Sequence, residues 1–280
     1  MSEETYSYSK LDTFEQCPYK YKLIYLDGHR IKSDTIATEL GTAIHATEET
    51  IGKSLIKSEN PDYVYLIDEL EKTRYTLKER YLKDFYALDK SGRTYDQKID
   101  EYINKGIYRL EKRLKENPYQ IVGLEKEFFL EFGQYTFHGF IDRIFFDKVK
   151  NEYIIEDIKT YPKAIQIDKL RTPLQHVIYT LALRSIVREN IRCTYDLPFC
   201  DLTQNVLDGY LNRGINKLHE IFGEINTSDF HPNPTPLCHW CVFSGTYPDQ
   251  PDEAKNLCPF YSLWTREHKT KEVNEVWVKN

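Results

Sequence analysis

The sequence has no excess of positive charge: 38 Lys+Arg stand against 44 Asp+Glu in 280 residues, a formal net charge of −6 at pH 7. General attraction to polyanions is excluded, so any contact with nucleic acid needs a local basic groove. Long apolar runs are also lacking. The strongest, 177–187, is interrupted by Thr180, Arg184 and Ser185 and falls short of the roughly 20 residues that span a bilayer. The start, Met1-Ser-Glu-Glu-Thr-Tyr6, has neither the basic nor the apolar part of a secretory leader. A cytoplasmic protein with no membrane segment is expected. Internal repeats and long low-complexity tracts are absent, and 40% apolar residues are enough for a sizeable core, which excludes full disorder. Aromatic content is 14%, mostly from 22 Tyr, whose rings pack while their hydroxyls stay wet, so the count alone says nothing about base stacking.

What is present changes character along the chain. From about 35 to 118, Glu, Lys, Leu, Ile and Tyr recur with helical spacing, broken near Asn60-Pro61 and at Ser91-Gly92, which predicts three helices. After Pro118, segments 123–132 and 135–146 are dense in Phe, Ile and Val and are parted by Gly133-Gln134, a hairpin signal. A third strand is expected at 152–158, giving an antiparallel three-strand meander. Helical spacing resumes over 165–188, with Leu174, Val177, Ile178, Leu181 and Ala182 on one side. The class is α/β, with helices before and after a sheet.

If the second and third strands close through the turn at 148–151, residues whose numbers sum to 299 oppose each other. Asp142 then faces Asp157, and Lys159 shares the face of Asp157. Opposed carboxylates among Ile, Phe and Tyr repel and call for a compensating cation. A divalent ion such as Mg²⁺ takes one or two carboxylates plus water and phosphate. Phosphodiester hydrolysis fits, with Lys159 orienting water or stabilising developing charge. The same residues also fit a solvated strand edge on which Lys159 merely pairs with Asp157, and a one-residue slip would part the aspartates. Glu127 and Glu156 lie nearby; Glu156 falls on the opposite face, and neither joins the catalytic set.

These residues bring a known family into view. Gly139-Phe-Ile-Asp142-Arg143 followed by Ile154-Ile-Glu-Asp157-Ile-Lys159-Thr160 resembles the paired motifs of the PD-(D/E)xK nucleases, in particular their RecB and AddB type exonuclease branch. Gly41-Thr-Ala-Ile-His45-Ala is similar to the helix that precedes them in that branch, and Gln175-His-Val-Ile-Tyr179 to the glutamine and tyrosine of the helix that follows. The resemblance implies a restriction-endonuclease-like core, a central mixed sheet flanked by helices, within one nuclease domain over 1–280. In that reading 1–120 is mainly helical, 121–190 is the catalytic core, and 191–280 holds a helix and a cysteine-clasped C-terminus. It also implies that Asp142, Asp157 and His45 bind Mg²⁺ or Mn²⁺ and that Lys159 is the catalytic lysine. Gln175 and Tyr179 would support the site. Read alone, His45 is an ordinary helix histidine, and Gln175 and Tyr179, four apart on one helix face, are equally a polar pair at a packed edge.

The six cysteines sit at 17, 193, 200, 238, 241 and 258, and in a reducing compartment they read as thiols or metal ligands. Cys238-His-Trp-Cys241 has the spacing with which two thiolates grip one metal. A redox pair would need a βαβ setting, whereas this one follows Pro232, Pro234 and Pro236. Cys258 offers a third ligand and Cys17 a fourth. The N-terminal stretch, with Ser9, Cys17, Pro18 and Tyr21, is similar to the opening motif of the iron–sulfur members of the same branch, which implies that Cys17, Cys238, Cys241 and Cys258 hold a 4Fe-4S cluster. Zinc and no metal at all stay open, because the sixteen residues between Cys241 and Cys258 exceed the family's interval. Cys193 and Cys200 are read as half-buried or buried thiols.

The expected function is a metal-dependent DNA exonuclease acting on single-stranded ends, in repair, recombination, phage DNA processing or CRISPR adaptation. No Gly-x-x-x-x-Gly-Lys-Ser/Thr motif occurs, so unwinding would need a helicase or recombination partner. The alternative is a noncatalytic nucleic-acid-binding protein with a zinc or iron–sulfur clasp.

Overall fold

The computed structural model describes residues 5–31, 34–116, 119–235, 238, 241–244, 251–255 and 257–258. They fall into two compact units, one of residues 1–5 and 34–215, the other of 6–33 and 216–280. The chain opens with β1 (Thr5–Tyr6), α1 (Tyr8–Gln16) and α2 (Pro18–Tyr21), which runs on as a π-helical turn over Lys22–Leu26. The helical region then comprises α3 (Ile36–Ile56), α4 (Tyr63–Arg80), α5 (Leu82–Phe85), α6 (Tyr95–Glu101) and α7 (Ile107–Glu116).

Both expected breaks are present, at 60–61 and 91–92, and the helices restart at polar caps. Asp62 accepts the amide of Tyr65 at 3.0 Å, and Thr94 and Gln97 form a reciprocal capping box. The expected three helices are five, because Tyr81 ends α4 one residue before the short α5, and a π-helical turn over Tyr102–Gly106 separates α6 from α7.

The meander is as the turn signals predict. β2 (Tyr119–Phe132) pairs antiparallel with β3 (Tyr135–Asp147), and β3 with β4 (Glu152–Ile158). Gly133 at φ +62° and Asn151 at φ +54° occupy the left-handed positions of the two turns. The register of β3 on β4, with Arg143 opposite Glu156 and Ile144 opposite Ile155, sums to 299 as expected.

The single helix expected over 165–188 is two, α8 (Ile167–Arg171) and α9 (Leu174–Arg184). Pro173 separates them, since its ring disfavours the helical backbone at Thr172 and it has no amide to donate. The sequence reading had no strand after 158. The structure adds β5 (Asn190–Leu197), parallel to β4, and β6 (Leu202–Asn205), antiparallel to β5, before α10 (Tyr210–Thr227). The sheet is therefore mixed.

Alternation along the central strands builds a core on each face. Phe145 and Ile154 pack with Leu40, Ile44 and Ile51 of α3 and Ile107 and Leu110 of α7. Their neighbours Ile144 and Ile155 pack with Tyr179 and Leu183 of α9 and with Tyr195 of β5. Burying each such aliphatic side chain contributes about 1.5–3 kcal/mol, so the meander is pinned from both sides.

Charge is buried in the α3 and α7 layer. Arg143, 1% exposed, donates to Glu48 at 2.5 Å and to Glu156 at 2.9 Å. Arg113 of α7 spans Glu156 at 2.8 Å and Asp196 at 2.7 Å, and Tyr102 donates to Glu48 at 3.2 Å. Arg113 and Arg143 hold the Glu156 carboxyl down at about 2 despite its burial. Three buried carboxylates thus share their guanidinium partners. Arg143→Ala would leave buried Glu48 with only the Tyr102 hydroxyl and Glu156 with a single guanidinium, that of Arg113, and we expect it to cost about 3–5 kcal/mol, read as a lowered urea midpoint. Arg143→Lys should recover only part of that loss, because an ammonium cannot reproduce the fork; full recovery would show that charge alone suffices.

Candidate active site

The residues singled out in the sequence converge where β3–β4 pairing stops. The last paired residues are Arg143 and Glu156. One step further the Asp142 carboxylate accepts the amide of Ile158 at 2.7 Å, so a side chain replaces the next rung of the ladder. His45 comes from α3. Its Nε2 lies 3.1 Å from the carbonyl oxygen of Ile158, and a carbonyl can only accept, so the proton sits on Nε2. The Nδ1 lone pair is then free on the side of Asp142, whose Oδ2 is 3.8 Å away. Gly41 lies one helical turn before His45, and a side chain there would put Cβ 3.2 Å from the Thr160 hydroxyl. The small residue brings α3 close to the end of β4, which explains physically why Gly and His belong together.

Asp157 is fully buried, and neither of its carboxylate oxygens accepts a directed hydrogen bond. Its contact is the ion pair with Lys159, 2.7 Å from Nζ to Oδ2. Lys159 donates to Gln175 Oε1 at 2.9 Å, and Gln175 Nε2 donates to the Tyr179 hydroxyl at 2.8 Å. The four-residue spacing on α9 thus becomes a chain that steers the lysine. The main chain is fixed as well, since the Lys159 amide donates to the Asp196 carbonyl at 2.8 Å.

The electrostatics follow from this crowding. Burial, then the charge of Asp157, raises the Asp142 carboxyl well above its usual range. Burial pulls the Lys159 ammonium down, but Asp157 and Asp142 outweigh it and hold the group above its ordinary value. Burial lowers the His45 imidazole, keeping it neutral and able to act as a ligand.

One residue of the cluster was missed in the sequence. Glu125 offers a carboxylate oxygen that, with ligand atoms of His45 and Asp142, makes a group lying within 4.8 Å of one another. It stands at φ +42° in β2, between the paired residues Leu124 and Lys126, and has no ladder partner itself. Burial raises its carboxyl. The only sequence hint was a Glu in an apolar strand, which Glu127 shares; Glu127 instead pairs with His138 at 2.8 Å. Glu156 belongs to the ion network on the other face, as its parity predicts.

Hard carboxylate oxygens with one imidazole nitrogen suit Mg²⁺ or Mn²⁺. The Asp157 Oδ1, which has no partner, and the repelling pair with Asp142 are what such an ion would relieve, so the residues fit one.

Against known proteins, the profile of the PD-(D/E)XK nuclease superfamily matches residues 5–246. The chain belongs to that superfamily. No curated protein matches the sequence. Among solved structures, the chain is similar to a crystal structure named "Putative exonuclease" from Eubacterium rectale, at 15% identity and a TM-score of 0.46, covering 85% of this chain and 87% of that one. The α/β architecture with a mixed central sheet between helices is that of the nuclease superfamily.

The second unit of this nuclease gathers Cys17, Cys238, Cys241 and Cys258 around one cavity. Backbone amides point at the sulfurs: Lys20 and Asn233 donate to Cys17 Sγ at 3.5 and 3.4 Å, and Thr235 donates to Cys238 Sγ at 3.4 Å. Burial raises the Cys238 and Cys241 thiols, and backbone donors partly offset it. None of the six cysteines is in a disulfide. The segment has a small core, with Leu23, Val242, Phe243 and Ala254 buried together. Cys193 is buried, against the hydroxyls of Thr180 and Tyr210 at 3.3 and 3.2 Å, and Cys200 is half-buried, so neither joins the four. Among the described residues no helix is long and apolar enough to cross a membrane.

His176, beside Gln175, makes a prediction about stability. It is fully buried, its Nε2 lies 3.0 Å from the Thr194 carbonyl and its Nδ1 has no partner. Burial lowers the imidazole to about 4. The unfolded chain takes up this proton below about 6.5 and the folded chain only near the lowered value. The stability is therefore fully present above pH 6.5 and is lost as pH falls toward 4. About 3 kcal/mol should disappear across that window, and melting temperatures of wild type and His176→Gln should converge on acidification. A constant gap between them would refute the titration.

Proposed function

We propose that the protein is a metal-dependent DNA exonuclease of the RecB and AddB type, acting on single-stranded ends and carrying a structural 4Fe-4S cluster. The observation that supports the nuclease chemistry best is Asp157, buried, ion-paired to Lys159 through Oδ2 and opposed to Asp142, with an Oδ1 that has no partner. His45, Glu125, Asp142 and Asp157 would hold Mg²⁺ or Mn²⁺, which when bound polarises a phosphoryl oxygen and acidifies water. The remaining work belongs to the protein. Ile158 orients Asp142 and His45 through its amide and carbonyl. Gln175 and Tyr179 hold the Lys159 ammonium where it can position the attacking water and stabilise the charge that develops on phosphate. Closed sulfur coordination by Cys17, Cys238, Cys241 and Cys258 suits a structural cluster, with zinc as the alternative occupant.

An end-labelled single-stranded oligonucleotide tests the activity. It should shorten progressively with Mg²⁺ or Mn²⁺ and stay intact with EDTA; cleavage that ignores EDTA would overturn the metal role. Because the chain is acidic overall, binding must run through a local groove of Lys and Arg and should therefore weaken steeply with added salt. A flat titration by fluorescence anisotropy would count against nucleic acid as the substrate.

A further inference from the structure

The β2–β3 hairpin has two unlike faces. One is core: Leu130 and Phe137 are buried, and Phe128 meets Tyr179 edge-on at 5.6 Å. The other carries aromatic rings in the open, with Phe129 63% and Phe140 46% exposed. The cross-strand pair Phe129 and His138 stacks at 4.5 Å with planes 11° apart. Phe140, one step along on the same face as His138, meets that imidazole at 5.6 Å and 61°. Glu127 holds His138 in place at 2.8 Å. The rings are thus ordered against each other while their outer surfaces face water, an arrangement that no core contact requires.

We infer that Phe129, His138 and Phe140 form a stacking platform for the bases of a single-stranded nucleic acid. This rests on the nuclease reading proposed above. Phe140 precedes Asp142 by two residues on β3, about 7 Å along a strand, so a chain whose phosphate is held at Asp142 has its neighbouring nucleotides within reach of the rings. A planar base extends the Phe129–His138 stack on its exposed side, with Phe140 as a tilted wall. Residues 127, 129 and 131 of β2 and 136, 138 and 140 of β3, which form this face, include no Lys or Arg; of its two carboxylates Glu127 is tied to His138, and Glu131 lies at the far end beyond Phe129. It therefore addresses bases and leaves phosphate to other surfaces. Stacking tolerates any base, so the platform grips a strand without reading its sequence.

The absence of cations makes the contribution separable. Fluorescence anisotropy with a fluorescein-labelled oligothymidylate, in Ca²⁺ in place of Mg²⁺, should show about tenfold weaker binding for Phe129→Ala and again for Phe140→Ala. Tenfold corresponds to roughly 1.4 kcal/mol, within the range for one base on one ring. The deficit should be equal at low and high salt, and an abasic strand of the same length should bind all three proteins alike. Phe140→Trp should retain wild-type affinity. The platform is overturned if the alanine variants bind oligothymidylate as the wild type does, or lose the abasic strand equally. It is also overturned if they elute as a smaller species than a wild type that proves to be an assembly held by these rings. Failure of the wild type to cleave the labelled strand in Mg²⁺ would sink the nuclease reading along with the platform, whereas cleavage with unchanged affinity in the variants sinks the platform alone.

Discussion

Asp157→Asn should lose cleavage by about 10²–10³-fold or more while melting no lower than the wild type in EDTA. The two halves of this expectation have one cause. Asp157 is fully buried, its Oδ1 has no partner, and its charge helps raise the neighbouring Asp142 carboxyl. Removing that charge at nearly constant volume relieves the repulsion. Lys159 loses an ion pair but keeps Gln175, 2.9 Å away. A group that strains the empty site yet completes the loaded one should show opposite effects with and without metal. Mn²⁺ at a hundredfold excess over its dissociation constant stabilises a protein that binds it by about 2.7 kcal/mol. The wild type should therefore melt higher with Mn²⁺, and Asp157→Asn should show little of that gain.

Lys159→Ala separates the roles further. It should cleave as poorly as Asp157→Asn but bind Mn²⁺ at least as well as the wild type, because an ammonium competes with a cation for the same carboxylates. Calorimetric titration checks both variants. If Lys159→Ala loses Mn²⁺ while Asp157→Asn retains it, the two assignments are reversed; normal turnover by either removes it from the site.

The sequence makes some parts of this site legible and hides others, for physical reasons. The β3–β4 register could be found because a polar turn at 147–151 joins two apolar strands, and only one pairing brings Asp142, Asp157 and Lys159 together. Helix spacing put Gln175 and Tyr179 on one face, and they are joined by a hydrogen bond at 2.8 Å. Glu125 was hidden because its backbone leaves the regular pleat at φ +42°, where alternation no longer tells which way a side chain points. The Arg143 network was hidden for a different reason. Glu48, Arg113, Arg143, Glu156 and Asp196 are charged residues scattered between positions 48 and 196, and charge reads as exposed unless its partner is known. β5 is legible in Asn190–Leu197, where Ile191, Cys193, Tyr195 and Leu197 alternate with polar residues, the period of two that marks a strand.

The cysteine clasp carries the other large expected effect. Cys17→Ser, Cys238→Ser, Cys241→Ser and Cys258→Ser should each lose most of the iron and acid-labile sulfide of anaerobically purified protein and melt many degrees lower. Four sulfurs surround one cavity, and the amides of Lys20, Asn233 and Thr235 are directed at two of them. Burial, with the neighbouring cysteines, raises the Cys238 and Cys241 thiols, and backbone donors offset only part of it, so without metal those two protons stay on. A bound metal displaces the protons and supplies the charge to which the amides are complementary, and its binding free energy becomes folding free energy. Among the described residues the apolar cluster beside the cysteines is Leu23, Val242, Phe243 and Ala254 with a few half-buried neighbours, too little to hold Cys17 near Cys238, Cys241 and Cys258 without help. Cys193→Ser and Cys200→Ser should keep full metal content, because neither thiol lines that cavity. Visible absorbance that bleaches on reduction distinguishes an iron–sulfur cluster from zinc, which is colourless. Full iron in Cys17→Ser would remove the N-terminal ligand, and metal-free wild-type protein with an unchanged melting temperature would remove the clasp altogether.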